Sequence, residues 1–160
     1  MNKKELTLRT INDNDFSIME KWLNKEHILK YYLDPSEWLD EIKERDGMFN
    51  FLIHFIVIYQ DKPIGFCQYY KCTEDDSEWD GEGTYSIDYF IGEDDFLGKG
   101  FGKAAVSLLV DKIFSLDDST KIIVEPDEGN TASERTLLSN DFTRNEKNGK
   151  YYKMKDNITV

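Results

Sequence analysis

Cysteine and histidine are scarce in this chain, and each shortage excludes something. The two cysteines, Cys67 and Cys72, are not spaced as Cys-x-x-Cys, so no disulfide framework or thiol redox motif is visible. A reduced, cytoplasmic protein is the expectation. Two histidines, His27 and His54, are too few for a histidine-based metal site, and no metal is expected. No apolar run approaches the roughly 20 residues of a membrane-spanning helix. Met1 to Leu6 lacks the apolar core of a secretory signal. Positive charge is also short: 20 Lys and Arg stand against 32 Asp and Glu, a formal net charge of −12. That balance argues against nucleic acid or an anionic membrane as partner and favours a cationic substrate. No linker, repeat or low-complexity tract interrupts the 160 residues, so 1–160 reads as one domain with room for a substantial core.

Glycine is concentrated in one stretch, Phe96-Leu97-Gly98-Lys99-Gly100-Phe101-Gly102-Lys103. Behind it Phe101, Ala104, Ala105, Leu108, Leu109 and Ile113 fall on one face at helical spacing, with Ser107, Asp111 and Ser115 opposite. A glycine loop running into a helix start presents free backbone N–H groups and the positive end of the helix dipole. This is an anion site, and phosphate is its usual ligand. Lys99 and Lys103 add positive charge. A P-loop needs Ser or Thr after Gly-Lys, whereas Gly100 and Ala104 stand there. A dinucleotide fingerprint needs G-x-G-x-x-G directly after a strand. Here the spacing is G-x-G-x-G, and Glu93 to Leu97 intervene.

The remaining pattern alternates strands and helices. Leu6–Ile11 reads as a strand, and Asn12 with Asp15 reads as a capping box before a helix carrying Phe16, Met19, Trp22 and Leu23. Glu26–Tyr32 and Ser36–Glu44, the latter behind Pro35, read as two further helices. Phe51–Tyr59 is apolar at almost every position, which predicts a strand covered on both faces, and Ile64–Tyr70 returns from the Gln60–Pro63 turn. His54 and Cys67 on these strands read as core residues. Lys71–Gly83 is a polar insertion, followed by a strand over Thr84–Gly92 and a helix from the glycine loop to about Leu116. Lys121–Val124 is a short buried strand, and Asn130 caps a helix over Thr131–Ser139. Asn148-Gly149 turns a hairpin between Asp141–Thr143 and Tyr151–Met154. A mixed α/β sheet with helices on both faces accommodates this order.

Ten acidic residues and no Lys or Arg lie between Glu74 and Asp95. This belt flanks the strand that leads into the glycine loop. It encloses Trp79 and Tyr85, aromatics able to stack on a sugar or a cation. Asp76, Glu78, Asp80 and Gly81 match the first half of a calcium loop, but the twelfth position is Ile87, where a bidentate Glu is needed.

Taken together, these segments resemble the GCN5-related N-acetyltransferases, and among them the aminoglycoside 6′-N-acetyltransferases. The resemblance rests on Trp22-Leu23-Asn24-Lys25-Glu26-His27-Ile28 and on Lys62-Pro63-Ile64-Gly65-Phe66-Cys67-Gln68-Tyr69-Tyr70. It rests further on Ile87-Asp88-Tyr89-Phe90-Ile91-Gly92 with the glycine loop, and on Pro126 with Asn130. It implies a single-domain acetyltransferase fold, a mostly antiparallel central sheet with helices on both faces. It also implies transfer of an acetyl group from acetyl-CoA to an amine by direct attack in a ternary complex.

By the same resemblance Asp88 accepts the proton of the incoming ammonium. The backbones of Phe90 and Ile91 pair with the pantetheine arm. Leu97, Gly98, Lys99, Gly100, Phe101, Gly102 and Lys103 hold the pyrophosphate, and Asn130 contacts the arm near the thiol. The substrate side is expected at Asp76, Glu78, Trp79, Asp80, Tyr85 and Asp88. The acceptor implied is the 6′-amine of an aminoglycoside, with a role in antibiotic resistance, and the assembly a monomer or homodimer. Other acceptors are a polyamine, a protein N-terminus or a siderophore hydroxylamine; a non-catalytic acyl-CoA-binding domain is the remaining alternative. Two departures mark the chain. Leu97 stands where the family usually has Arg or Gln, and Leu137 stands where the last helix usually carries the tyrosine that protonates the departing thiolate.

Overall fold

The computed structural model describes residues 5–156. Strand β1 (Leu6–Thr10) opens the chain, and the Asn12–Asp15 capping box forms as expected. It first turns a short 3₁₀ segment, Asp13–Asp15, and then releases helix α1 (Phe16–Leu23). Helix α2 (Glu26–Tyr32) follows. Helix α3 (Pro35–Lys43) starts on Asp34, whose carboxylate accepts from the Ser36 N–H, and has Pro35 in its first turn. Strands β2 (Leu52–Tyr59), β3 (Lys62–Lys71) and β4 (Thr84–Ile91) come next. The turn between β2 and β3 is shorter than the sequence suggests. Gln60 and Asp61 both take positive φ (48° and 64°), so β3 begins at Lys62 and includes Pro63.

Helix α4 (Phe101–Phe114), β5 (Lys121–Val124), α5 (Thr131–Ser139), β6 (Thr143–Arg144) and β7 (Tyr151–Met154) complete the chain. The seven strands form one sheet in the order β1-β2-β3-β4-β5-β7-β6. Every neighbouring pair is antiparallel except β4 with β5.

Strand alternation splits the apolar residues between two cores. Phe55, Val57, Cys67, Tyr85 and Ile87 pack with α4 and with Leu137 of α5. Ile56, Phe66 and Phe90 point the other way, onto Met19, Trp22 and Leu23 of α1, Ile28 of α2 and Ile42 of α3. Helices therefore cover both faces, and β2 is buried on both sides, as its unbroken apolar run predicts.

The parallel pair is short and opens the sheet. β4 pairs with β3 along its length to Ile91, but meets β5 only at Thr84 and Tyr85. Beyond Tyr85 the two strands diverge, and the edge of β4 from Ser86 to Ile91 lies open in the middle of the sheet.

Candidate active site

The open edge of β4 is reached from one side by the glycine loop. Gly98 (φ 69°) and Gly100 (φ 85°) sit in the left-handed region, which lets the chain turn sharply into α4. The first N–H that finds a carbonyl inside α4 is that of Ala104, which donates to Gly100 at 3.1 Å. The amides of Phe101, Gly102 and Lys103 precede it and are free to meet an anion. A Cβ added at Gly98 or Gly102 would meet nothing within 4 Å, so space lies in front of these backbones. The loop forms one wall of a cavity of about 530 Å³. Phe90, Ile91, Leu97, Gly98, Gly100, Phe101, Gly102, Lys103 and Asn130 all line it. Lys99 does not; it stands exposed on the outer side of the loop.

The opposite wall comes from α2 and α5. Arg135, Thr136 and Ser133 of α5 and His27, Tyr31 and Tyr32 of α2 face the same space. Nothing in the sequence marks these as site residues, because α2 and α5 read as ordinary short helices. Arg135 supplies a cation to this cavity, beside Lys103.

The edge of β4 is held in register from α1 and α2. Lys25 Nζ donates to the Gly92 carbonyl at 2.7 Å, and His27 Nε2 lies 3.0 Å from the Ile91 carbonyl. The Tyr32 hydroxyl donates to the Tyr89 carbonyl. Trp22 Nε1 donates to Glu93 at 2.6 Å, and its ring packs where a Cβ at Gly92 would stand, 2.3 Å away. The Trp22–Ile28 segment thus has one structural task, the fixing of the end of β4. These contacts also correct one expectation. The N–H and C=O of one strand residue share a side, so Tyr89 and Ile91 turn theirs to the open edge. Phe90 turns its own toward β3. The N–H groups that face an added strand are those of Tyr89 and Ile91, whose carbonyls already meet Tyr32 and His27, and not that of Phe90.

A second, smaller cavity of about 190 Å³ continues past Tyr31, Tyr32, Tyr89, Asn130 and Ser133, which line both spaces. Its far wall holds Trp38, Glu78, Ser86, Asp88 and Asp127. Asp88 has no lysine or arginine partner among the described residues; Gln68 Nε2 donates to it at 2.8 Å. Loss of water raises its pKa to about 6, against the lowering effect of the Gln68 hydrogen bond and with smaller pushes from Glu78 and Asp127. Glu41 on α3 is raised to about 7 by burial first and by Asp88 second. Among the described residues the lining carboxylates Glu78, Asp88 and Asp127 have no Lys or Arg partner, a setting that draws a cation.

The acidic belt does not act as one surface. Glu78 alone of its loop residues reaches the Asp88 cavity. Asp76 turns back to accept from the Thr73 N–H at 2.7 Å, and Asp80 pairs with Lys121 at 3.0 Å. Trp79 lines a separate small cavity with Tyr152 and Lys150. Tyr85 is buried in the α4 core and donates to Asp118 at 2.8 Å. Of the six expected substrate residues, the structure brings together Glu78 and Asp88 and directs Asp76, Trp79, Asp80 and Tyr85 elsewhere. Tyr85 lies on the strand face opposite Asp88, a difference that strand alternation already determines.

Leu137 is completely buried in the core, so no hydroxyl reaches the cleft from that position. Tyr89 brings one instead. Its hydroxyl lies 2.8 Å from Ser133 Oγ, one helical turn before Leu137, and its pKa rises to about 12 through burial.

Two cavities that share lining residues, one beside a glycine loop with free amides and the other beside carboxylates without a Lys or Arg partner among the described residues, suit a group-transfer enzyme. The chain belongs to the acetyltransferase (GNAT) domain family, whose model matches residues 12–148. The aminoglycoside N(6′)-acetyltransferases type 1 of Klebsiella pneumoniae and Serratia marcescens are each 27% identical over 153 residues, covering 87% of this chain and 74% of the relative. The crystal structure of aminoglycoside acetyltransferase AAC(6′)-Ib with coenzyme A and kanamycin superposes with a TM-score of 0.80 at 24% identity, over 93% of this chain and 94% of the other. Spermidine N-acetyltransferase from Vibrio cholerae, solved with CoA and spermine, shares the fold at a TM-score of 0.76 and 18% identity, over 95% and 96%.

Proposed function

We propose that this chain transfers an acetyl group from acetyl-CoA to an amine of a cationic small molecule, with the 6′-amine of an aminoglycoside as the foremost acceptor. The observation that carries this reading is the meeting of the two cavities at Tyr89, Asn130 and Ser133, with Asp88 just beyond. The larger space suits a pyrophosphate at the amides of Phe101, Gly102 and Lys103, and an extended arm against Tyr89 and Ile91. Acetyl-CoA supplies an activated acetyl thioester at the junction.

On the other side an ammonium enters among Asp88, Glu78 and Asp127. Such a cation cannot attack until it loses a proton. Asp88 is the carboxylate placed to take it, directly or through one water, and its pKa of about 6 leaves it ionised near neutrality. Tyr89 stays protonated at that pH and can give a proton to the departing sulfur, with Ser133 Oγ as its hydrogen-bond partner. This assigns to β4 the proton that Leu137 cannot donate.

The similarity to the two curated relatives supports an aminoglycoside acceptor, and the aromatic wall of Tyr31, Tyr32 and Trp38 suits a sugar face. The spermidine acetyltransferase neighbour makes a polyamine the second reading. A pair of aminoglycosides that differ only in amine or hydroxyl at the 6′ carbon tests the first. Acetylation of the amine form alone is expected; equal turnover of both, or turnover of spermidine alone, would contradict it.

A further inference from the structure

Behind Asp88 the sheet carries a row of polar side chains that no apolar core requires. Strand register places His54 of β2 opposite Gln68 of β3, and Gln68 opposite Asp88 of β4. All three lie on the face that carries α1 to α3. His54 and Gln68 are 3% and 2% exposed, so both are buried. Gln68 Nε2 donates to Asp88 Oδ2 at 2.8 Å. That bond turns the other end of the amide, Oε1, away from Asp88. Gln68 Oε1 and His54 Nε2 are the two buried side-chain polar atoms without a hydrogen-bond partner among the described residues. One is an acceptor and the other can be a donor. The two unpaired atoms are complementary and belong to residues that face each other across β2 and β3.

We propose that His54 and Gln68 are positioning residues for Asp88: the neutral His54 ring carries its proton on Nε2 and donates through one buried water to Gln68 Oε1, which fixes the amide with its N–H₂ toward the carboxylate. The inference rests on the reading of Asp88 as the base. Its logic is the two-fold ambiguity of an amide. Without His54, the Gln68 amide can flip and present oxygen to oxygen, which drives Asp88 toward its protonated form. Burial and Arg45 hold the imidazole neutral, with a pKa of about 4, so the row keeps one arrangement across the working range. The groups that face Asp88 from packed elements are Glu78, Asp127 and Glu41, all acidic, with Tyr32 and Tyr70 beside them. Among the described residues Gln68 is the single side-chain donor to Asp88.

Two measurements test the row. Nitrogen-15 NMR of histidine-labelled wild-type protein reads the tautomer of His54 without any substrate. A ring protonated on Nε2 is expected; a ring protonated on Nδ1 would overturn the proposal whatever the enzyme acetylates. The second is the pH profile of kcat/KM. His54→Leu should move the acid limb upward by about one pH unit, as loss of a hydrogen bond to the charged form does. Activity below the limb then falls about 10-fold and returns to near wild type at high pH. His54→Gln keeps a donor at the place of Nε2 and should restore the wild-type limb. A His54→Leu enzyme that is less stable but keeps its limb, or a His54→Gln enzyme displaced as far as His54→Leu, would contradict the proposal. If wild-type protein moved acetyl to no amine, the reading of the function would fail, while the NMR result would still decide the row.

Discussion

In the proposed reaction Asp88 sits where burial and catalysis pull in opposite directions. Loss of water raises its pKa, yet a base must be ionised to act. A carboxylate raised to about 6 resolves the conflict: it is ionised at neutral pH and basic enough to take a proton from an ammonium. The sign of the pH dependence follows. Activity should be full above the Asp88 pKa and fall as pH drops through about 6. Asp88→Asn keeps the size of the side chain and removes base and charge. Its kcat should drop by roughly 10²-fold, with acetyl-CoA affinity little changed, and the acid limb should vanish. A steady-state pH series on both proteins checks this; near-wild-type kcat in Asp88→Asn would remove Asp88 from the mechanism. Thermal melting gives an independent reading. An acid with a raised folded-state pKa opposes folding as pH rises through the window from its unfolded value to about 6, so Asp88→Asn should melt higher than wild type at pH 8. That advantage should shrink as pH falls toward 4.

The glycine loop and α4 act as one element. Gly100 caps the helix in the left-handed region, and the amides behind it have no carbonyl partner in the first turn. Gly100→Glu would place a side chain in a backbone conformation that costs about 1–2 kcal/mol outside glycine, and a negative charge beside the expected phosphates. Calorimetry should show acetyl-CoA affinity lower by about 10-fold or more, that is by at least 1.4 kcal/mol; unchanged affinity would place the cofactor elsewhere. Elements were the most legible level of the sequence. Helical spacing behind Phe101, the Asn12 and Asn130 caps, Pro35 and the apolar run of β2 each state a local rule that the fold obeys. The open edge of β4 was not legible, because it arises from where β4 and β5 diverge, a relation between distant segments. For the same reason α2 and α5 gave no sign that Tyr31, Tyr32, Ser133 and Arg135 would face the cleft. The belt failed differently. Charge density along the chain says nothing of direction, and hydrogen bonds to Thr73 and Lys121 turned Asp76 and Asp80 away.

On the scale of the whole molecule, a net charge of −12 gives a cationic substrate a favourable approach, which salt screens over about 8 Å at physiological ionic strength. KM for the acceptor should therefore rise with salt, while kcat stays nearly constant. The geometry narrows which charges matter at contact. Glu78→Gln should raise KM by about 3- to 5-fold, the worth of a partly exposed ion pair, and Asp76→Asn and Asp80→Asn should leave it near wild type. Equal effects from all three would mean that the belt acts as a diffuse field and not through the Asp88 cavity. The central claim, that the divergent sheet joins a thioester to a cationic amine, is tested most directly by acetyl transfer itself. Wild-type protein incubated with acetyl-labelled CoA and a panel of aminoglycosides and polyamines should move label onto an amine, at a rate far above thioester hydrolysis. Binding of acetyl-CoA with no label on any amine of the panel would contradict the account.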